Sequence, residues 1–107
     1  MDNKFCIILV TCRSLKEAEN IARLLLKKHL VACANIIKGI SSEFWWSGKI
    51  NRAKEVLVVL KARISCFKKI EKGVKSLHSY EVPEIIAMPI IAGSDDYLKW
   101  IKSSAGQ

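Results

Sequence analysis

Apolar residues along this chain fall into two patterns, unbroken runs and stripes at helical spacing, and the two alternate. Phe5 to Thr11, FCIILVT, is an uninterrupted apolar, β-branched run bounded by polar residues, the pattern of a strand buried on both faces. Leu15, Ala18, Ala22, Leu25 and Leu26 then recur at helical spacing. Ser14 with Glu17 three residues on forms a capping-box signal, so a helix is predicted from Leu15 to about Lys28. Lys27, Lys28 and His29 suit the negative end of its dipole without any ligand. Val31 to Ile37 is apolar again, and after Lys38-Gly39 comes the aromatic segment SSEFWWSGKI, which implies two strands. Ser47-Gly48 is the best candidate for a tight hairpin turn, with Gly48 free to take positive φ. Val56 to Leu60, VLVVL, reads as the central strand, and Glu55 and Lys61 beside it share a face with Leu57 and Val59.

Ser65 is placed to cap a second helix, with Phe67, Ile70, Val74 and Leu77 as its apolar stripe and Lys68, Lys69, Lys72 and Lys75 as its wet side. That helix ends into a loop beginning at His78. Pro83 stiffens the loop and pushes Val82 toward extended geometry. Ile85 to Ile91 supplies the last strand, Gly93 ends it, and Asp95 to Lys102 makes a short terminal helix capped by Ser94 or Asp95. The tail SSAGQ is expected to fray. This order is the split βαβ, ferredoxin-like plan: an α+β sandwich with a long β-hairpin, one domain spanning 1–107. Two helices cover only one face of its sheet, yet the strands at Phe5, Val56 and Ile85 are apolar on both faces. At about 25 cal/mol per Å² of apolar surface removed from water, the uncovered face favours association, so an obligate homo-oligomer is expected.

Composition narrows the setting. Half of the 107 residues are hydrophobic, but no apolar run approaches the ~20 residues of a membrane span. MDNKF enters directly into the first strand without a basic-then-apolar leader, which points to a cytoplasmic protein with no membrane partner. The four cysteines, Cys6, Cys12, Cys33 and Cys66, lack C-x-x-C spacing and sit in or beside apolar segments, the pattern of free, buried thiols. A net charge of +8 would suit nucleic acid or phosphate ligands, but the charges are spread over helices as a solvated surface.

The loop holds the candidate chemistry. His78, Tyr80, Glu81 and Glu84 put an imidazole, a phenol and two carboxylates within seven residues, enough to ligate a metal or bind a polar ligand. HSYEVPEII, then AMPIIAG and DDYLKW, resemble the late signature of the CutA family, the divalent-cation tolerance proteins. LVACANI, FWWSGKI and EVLVVLKA resemble its other signatures in the same order, so the resemblance spans nearly the whole chain. It implies a homotrimer, with the hairpin reaching a neighbour, that binds divalent metal ions, chiefly copper, with zinc also suited to the donors. No cofactor is required. Carried over by position, the metal residues are His78 and Glu84; the first-strand cysteine of the family falls on Val10, and Cys12, two residues on and on the same face, is the candidate substitute. Ser79 replaces the proline usual after the histidine.

Most of Trp45, Trp46, Glu55, Lys61, Tyr80, Tyr97 and Trp100 also fall on family signatures. Trp46, Glu55, Lys61, Tyr80 and Tyr97 form a candidate pocket between subunits, where Lys61 paired with Glu55 or Glu84 would bind an anion. The alternative function is therefore a sensor of a small anionic ligand, similar in plan to the PII signalling trimers. Two rivals share the fold plan and fail on residues. An acylphosphatase-like enzyme needs a phosphate cradle, and TCRSLKE offers Arg13 without the glycines. An RNA-recognition motif needs stacking aromatics on its central strand, and EVLVVLKA has none. The sequence thus reads as a non-enzymatic metal-response protein that binds no nucleic acid.

Overall fold

Cys6, Ile8, Val10 and Cys12 are fully buried while the residues between them are only half-buried, so the unbroken apolar run of the first strand has two unequal faces. The computed structural model describes residues 4–106. Its elements run β1 (Phe5–Cys12), α1 (Leu15–Lys27), β2 (Cys33–Trp46), β3 (Lys49–Arg63), a 3-10 turn (Ile64–Cys66), α2 (Phe67–Leu77), β4 (Ile85–Pro89) and α3 (Asp95–Ser104). The strands form one antiparallel sheet in the order β2-β3-β1-β4, the ferredoxin-like plan.

One face of the sheet carries the core. Val56, Val58, Leu60 and Ala62 of β3 join the four buried residues of β1 beneath Ile21 and Leu25 of α1 and Ile70 and Val74 of α2. The two helices approach closely at Gly73, where a Cβ would stand 3.1 Å from Leu25 Cδ2. The opposite face keeps its apolar residues half in water. Leu9 lies between Ile86 and Val59, and Ile7 between Met88 and Lys61, in rows that cross the sheet. Ile86 and Met88 are 50% and 44% exposed.

Local chemistry explains where the sequence reading shifts. The two strands expected between Val31 and Ile50 are one long bent strand, β2, and the start of β3, because Gly39 at φ 79° makes a bulge between Ile37 and Ile40 instead of a break. The hairpin turn does fall at Ser47-Gly48, with both residues at positive φ, the geometry of a type I′ turn that matches strand twist. Asn51 Nδ2 donates to the carbonyls of Trp46 and Lys49 and braces that turn. Ser65 does not cap α2. It lies inside the 3-10 turn, and Cys66 takes the cap position without a side-chain hydrogen bond. β4 stops at Pro89, two residues short of Ile91. The tail is tied down rather than frayed as far as Gly106. Ala105 is buried, and Gly106 N–H donates to the His29 carbonyl at 2.8 Å; Gln107 lies outside the described residues. α3 packs against β3, with Ser94 Oγ accepting from Tyr97 N–H as its cap.

Candidate metal centre

The end of β1, the first turn of α1 and the loop after α2 meet at one point. Cys12 is the last residue of β1 and faces the helices, like Val10 two residues before it. Ser14 caps α1 by accepting from Glu17 N–H at 3.1 Å. A capping box would return the Glu17 carboxylate to the Ser14 backbone, but here the carboxylate turns away. Its Oε1 accepts from Ser79 N–H at 3.0 Å, across 62 residues of sequence. Its Oε2 is buried without a hydrogen-bond partner.

His78 caps α2 at its C-terminal end, its N–H donating to the Val74 carbonyl, and its extended backbone (ψ 137°) turns the chain into the loop. The imidazole is fully buried, and its two nitrogens have different partners. Nε2 lies 2.7 Å from the Thr11 carbonyl, an acceptor, so Nε2 carries the proton. Nδ1 accepts from Tyr80 N–H at 3.0 Å and stands 3.8 Å from Glu17 Oε2. A carbonyl holding one imidazole nitrogen so that the other presents its lone pair is the arrangement by which proteins orient histidine ligands.

Cys12, Glu17 and His78 each bring one ligand atom to within 4.8 Å of the others. Thiol, carboxylate and imidazole together suit a borderline-soft divalent ion such as zinc or copper. The orphaned Glu17 oxygen fits the same reading, since a buried acceptor without a partner is costly to keep. The Cys12 thiol is pushed up to about 12, by burial first and then by the charges of Glu17 and Glu55, so at neutral pH it must give up a proton to become a ligand. A cavity of about 240 Å³ lined by Arg13, Ser14, Lys16, Glu17, Asn20 and Leu77 lies along the first turns of α1.

The donors that converge differ from the ligand set expected from sequence. Cys12 and His78 do come together, but Glu84 is exposed and stands outside the group; the carboxylate among them is Glu17. A signal for Glu17 existed. It lies at four-residue spacing with Ile21 and Leu25, both fully buried, so a charged residue occupies a core-facing position of α1.

The five residues of the expected pocket do not gather within the chain. Trp46 is exposed at the hairpin tip, beside Lys49 and about 40 Å along β3 from Lys61 at strand rise. Glu55 is 8% exposed and its Oε2 accepts from the Tyr80 hydroxyl at 2.7 Å. Lys61 pairs with neither Glu55 nor Glu84; its ammonium donates to Asn35 Oδ1 on β2. Tyr97 stands near Cys33, which faces Lys61 across the strands, and its ring meets Trp100 at 5.4 Å.

Residues 6–104 match the family model described as CutA1 divalent ion tolerance protein. The divalent-cation tolerance protein CutA of Archaeoglobus fulgidus is 47% identical over 94 residues, covering 88% of this chain and 91% of that protein. Its counterpart in Thermus thermophilus is 38% identical over 100 residues, covering 94% and 97%. The chain spans only 54% of the chloroplastic CutA of Arabidopsis thaliana, at 38% identity over 98 residues and 92% of this chain. Among solved structures, the Thermus thermophilus divalent cation tolerance protein superposes with a TM-score of 0.93 at 37% identity, covering 95% of this chain and 99% of that one. CutA1 from Oryza sativa gives 0.93 at 34% identity over 99% of both chains. A family match across almost the whole chain, with relatives above 30% identity and a shared fold, makes this chain a member of the CutA1 divalent ion tolerance family.

Proposed function

We propose that this chain is a binding protein, not a catalyst, that takes up a divalent ion of the zinc or copper class through Cys12, Glu17 and His78. The carrying observation is the convergence of three donors within 4.8 Å, one of them a buried carboxylate oxygen with no other partner. When bound, the ion would balance the charge of Glu17 and the Cys12 thiolate. His78 would supply a neutral nitrogen held in place by the Thr11 carbonyl. The working assembly is a homotrimer, and the half-exposed rows around Leu9 and Ile7 are its natural contact surface. Four free thiols, three of them buried, fit a reducing compartment such as the cytoplasm.

Calorimetric titration of reduced, metal-free protein with Zn(II) and Cu(II), with thiols counted so that copper-driven oxidation is not read as binding, tests the site. Zinc binds one per chain, and His78→Ala and Glu17→Gln each lose at least tenfold in affinity, the range for removing a ligand or its support. Glu84→Gln binds as the parent does. Loss in Glu84→Gln with Glu17→Gln unaffected would replace this ligand set with the one read from sequence.

A further inference from the structure

His78 has one lone pair to offer, and Tyr80 already uses it. Because Nε2 bears the proton that Thr11 accepts, Nδ1 is the only ring nitrogen able to bind a cation without breaking that contact, and it accepts from Tyr80 N–H at 3.0 Å. An imidazole nitrogen has a single in-plane lone pair, so the amide and a cation cannot both hold it. Tyr80 is also fastened at its far end. Its hydroxyl donates to Glu55 Oε2 at 2.7 Å, 25 residues away on β3, and its ring lies 4.8 Å from the His78 ring. The residue therefore works as a strap with one end on the lone pair and the other on the sheet.

We infer that Tyr80 competes internally with the cation for His78 Nδ1, so that uptake releases the Tyr80 amide and draws the loop from His78 to Glu84 away from Glu55. This rests on reading Cys12, Glu17 and His78 as the cation site. Tyr80 is a positioning residue: it acts through His78 and needs no contact with the ion. The coupling is reciprocal, because whatever lowers the cost of freeing Tyr80 raises affinity for the cation by the same factor. Tyr80→Phe removes the hydroxyl that holds the strap to Glu55 and keeps the ring. Its zinc affinity rises about tenfold, the scale of one hydrogen bond to a charged group. Glu55→Gln retains an acceptor oxygen and falls between Tyr80→Phe and the parent.

The test pairs calorimetry with backbone amide exchange followed by NMR on the full, reduced chain, using ZnCl2 as the probe. In the metal-free protein the Tyr80 amide is protected; with saturating zinc its exchange speeds at least tenfold, while amides in the middle of β1 are unchanged. Zinc binding that leaves Tyr80 protection as it was overturns the strap and leaves the metal site standing. So does a Tyr80→Phe variant that titrates like the parent. Failure of the parent to bind zinc at all removes the site itself, and the strap with it.

Discussion

The two faces of the sheet are built from the same strands and the same kinds of side chain, yet they meet different fates. On the covered face Val10, Val58 and Leu60 are at 0% exposure beneath α1 and α2. On the open face their strand neighbours Leu9, Leu57 and Val59 stay half-buried, beside Ile37 and Ile86 that are about half in water. Hydrophobicity alone does not separate these sets; what does is which side the two crossover helices pack on. The lesson is that an unbroken apolar strand in a ferredoxin-like chain has two faces of unequal burial, one filled within the chain and one left half in water, the face the proposed assembly would use.

The comparison breaks most visibly at Val58. Val58→Asp buries an unpaired charge in the core and destabilises by on the order of 4 kcal/mol, a large part of a typical domain's stability. Circular dichroism then shows no cooperative melt; a variant that melts like the parent would show the covered face to be tolerant. Leu9→Asp sits one residue from Val10 and across from Val59, on the other side of the same sheet. Under the proposed trimeric assembly the parent sediments as a trimer, while this variant keeps its secondary structure and sediments as a single chain. A Leu9→Asp trimer would mean that assembly uses some other surface.

A subtler contrast comes from alkaline pH. Burial, aided by Cys66, pushes Cys6 up to about 11, and burial, aided by Glu17 and Glu55, pushes Cys12 up to about 12, both from 9.0. The unfolded chain releases these protons from about pH 9 while the folded chain keeps them. Stability contributed by the covered face is therefore whole below pH 9 and falls from there towards pH 12. Tyr80 acts in the same direction, its phenol raised by burial and by Glu55. Urea midpoints measured from pH 7 to 10.5 fall above pH 9, less steeply in Cys12→Ala; a flat profile would place these thiols in contact with water.

Much of this molecule is legible from residue spacing. The strand at Phe5, the helix from Leu15, the Ser47-Gly48 turn and the sheet plan follow from periodicity and turn chemistry, which are local. The misreadings occur where a partner lies far along the chain. Glu17 satisfies the capping-box pattern so well that its true partner Ser79 and its neighbour His78 leave no local trace beyond its core-facing position. The tail reads as free because Gly106 finds its acceptor at His29, where the backbone turns left-handed at φ 55°. Lys38-Gly39 reads as a break because a bulge and a loop draw on the same residues.

The sheet's two edges carry unequal hazards. β4 is five residues long and closes on Pro89, which has no amide to offer a passing strand. β2 runs for 14 residues, and beyond its bulge the stretch Ile40–Trp46 presents an outer edge with no strand of this chain beside it, ending in Phe44, Trp45 and Trp46. Such an edge is a template for any extended chain, including a misfolded copy of this one. Misassembly is therefore expected to seed along β2, where Glu43 is the single charged residue of that stretch.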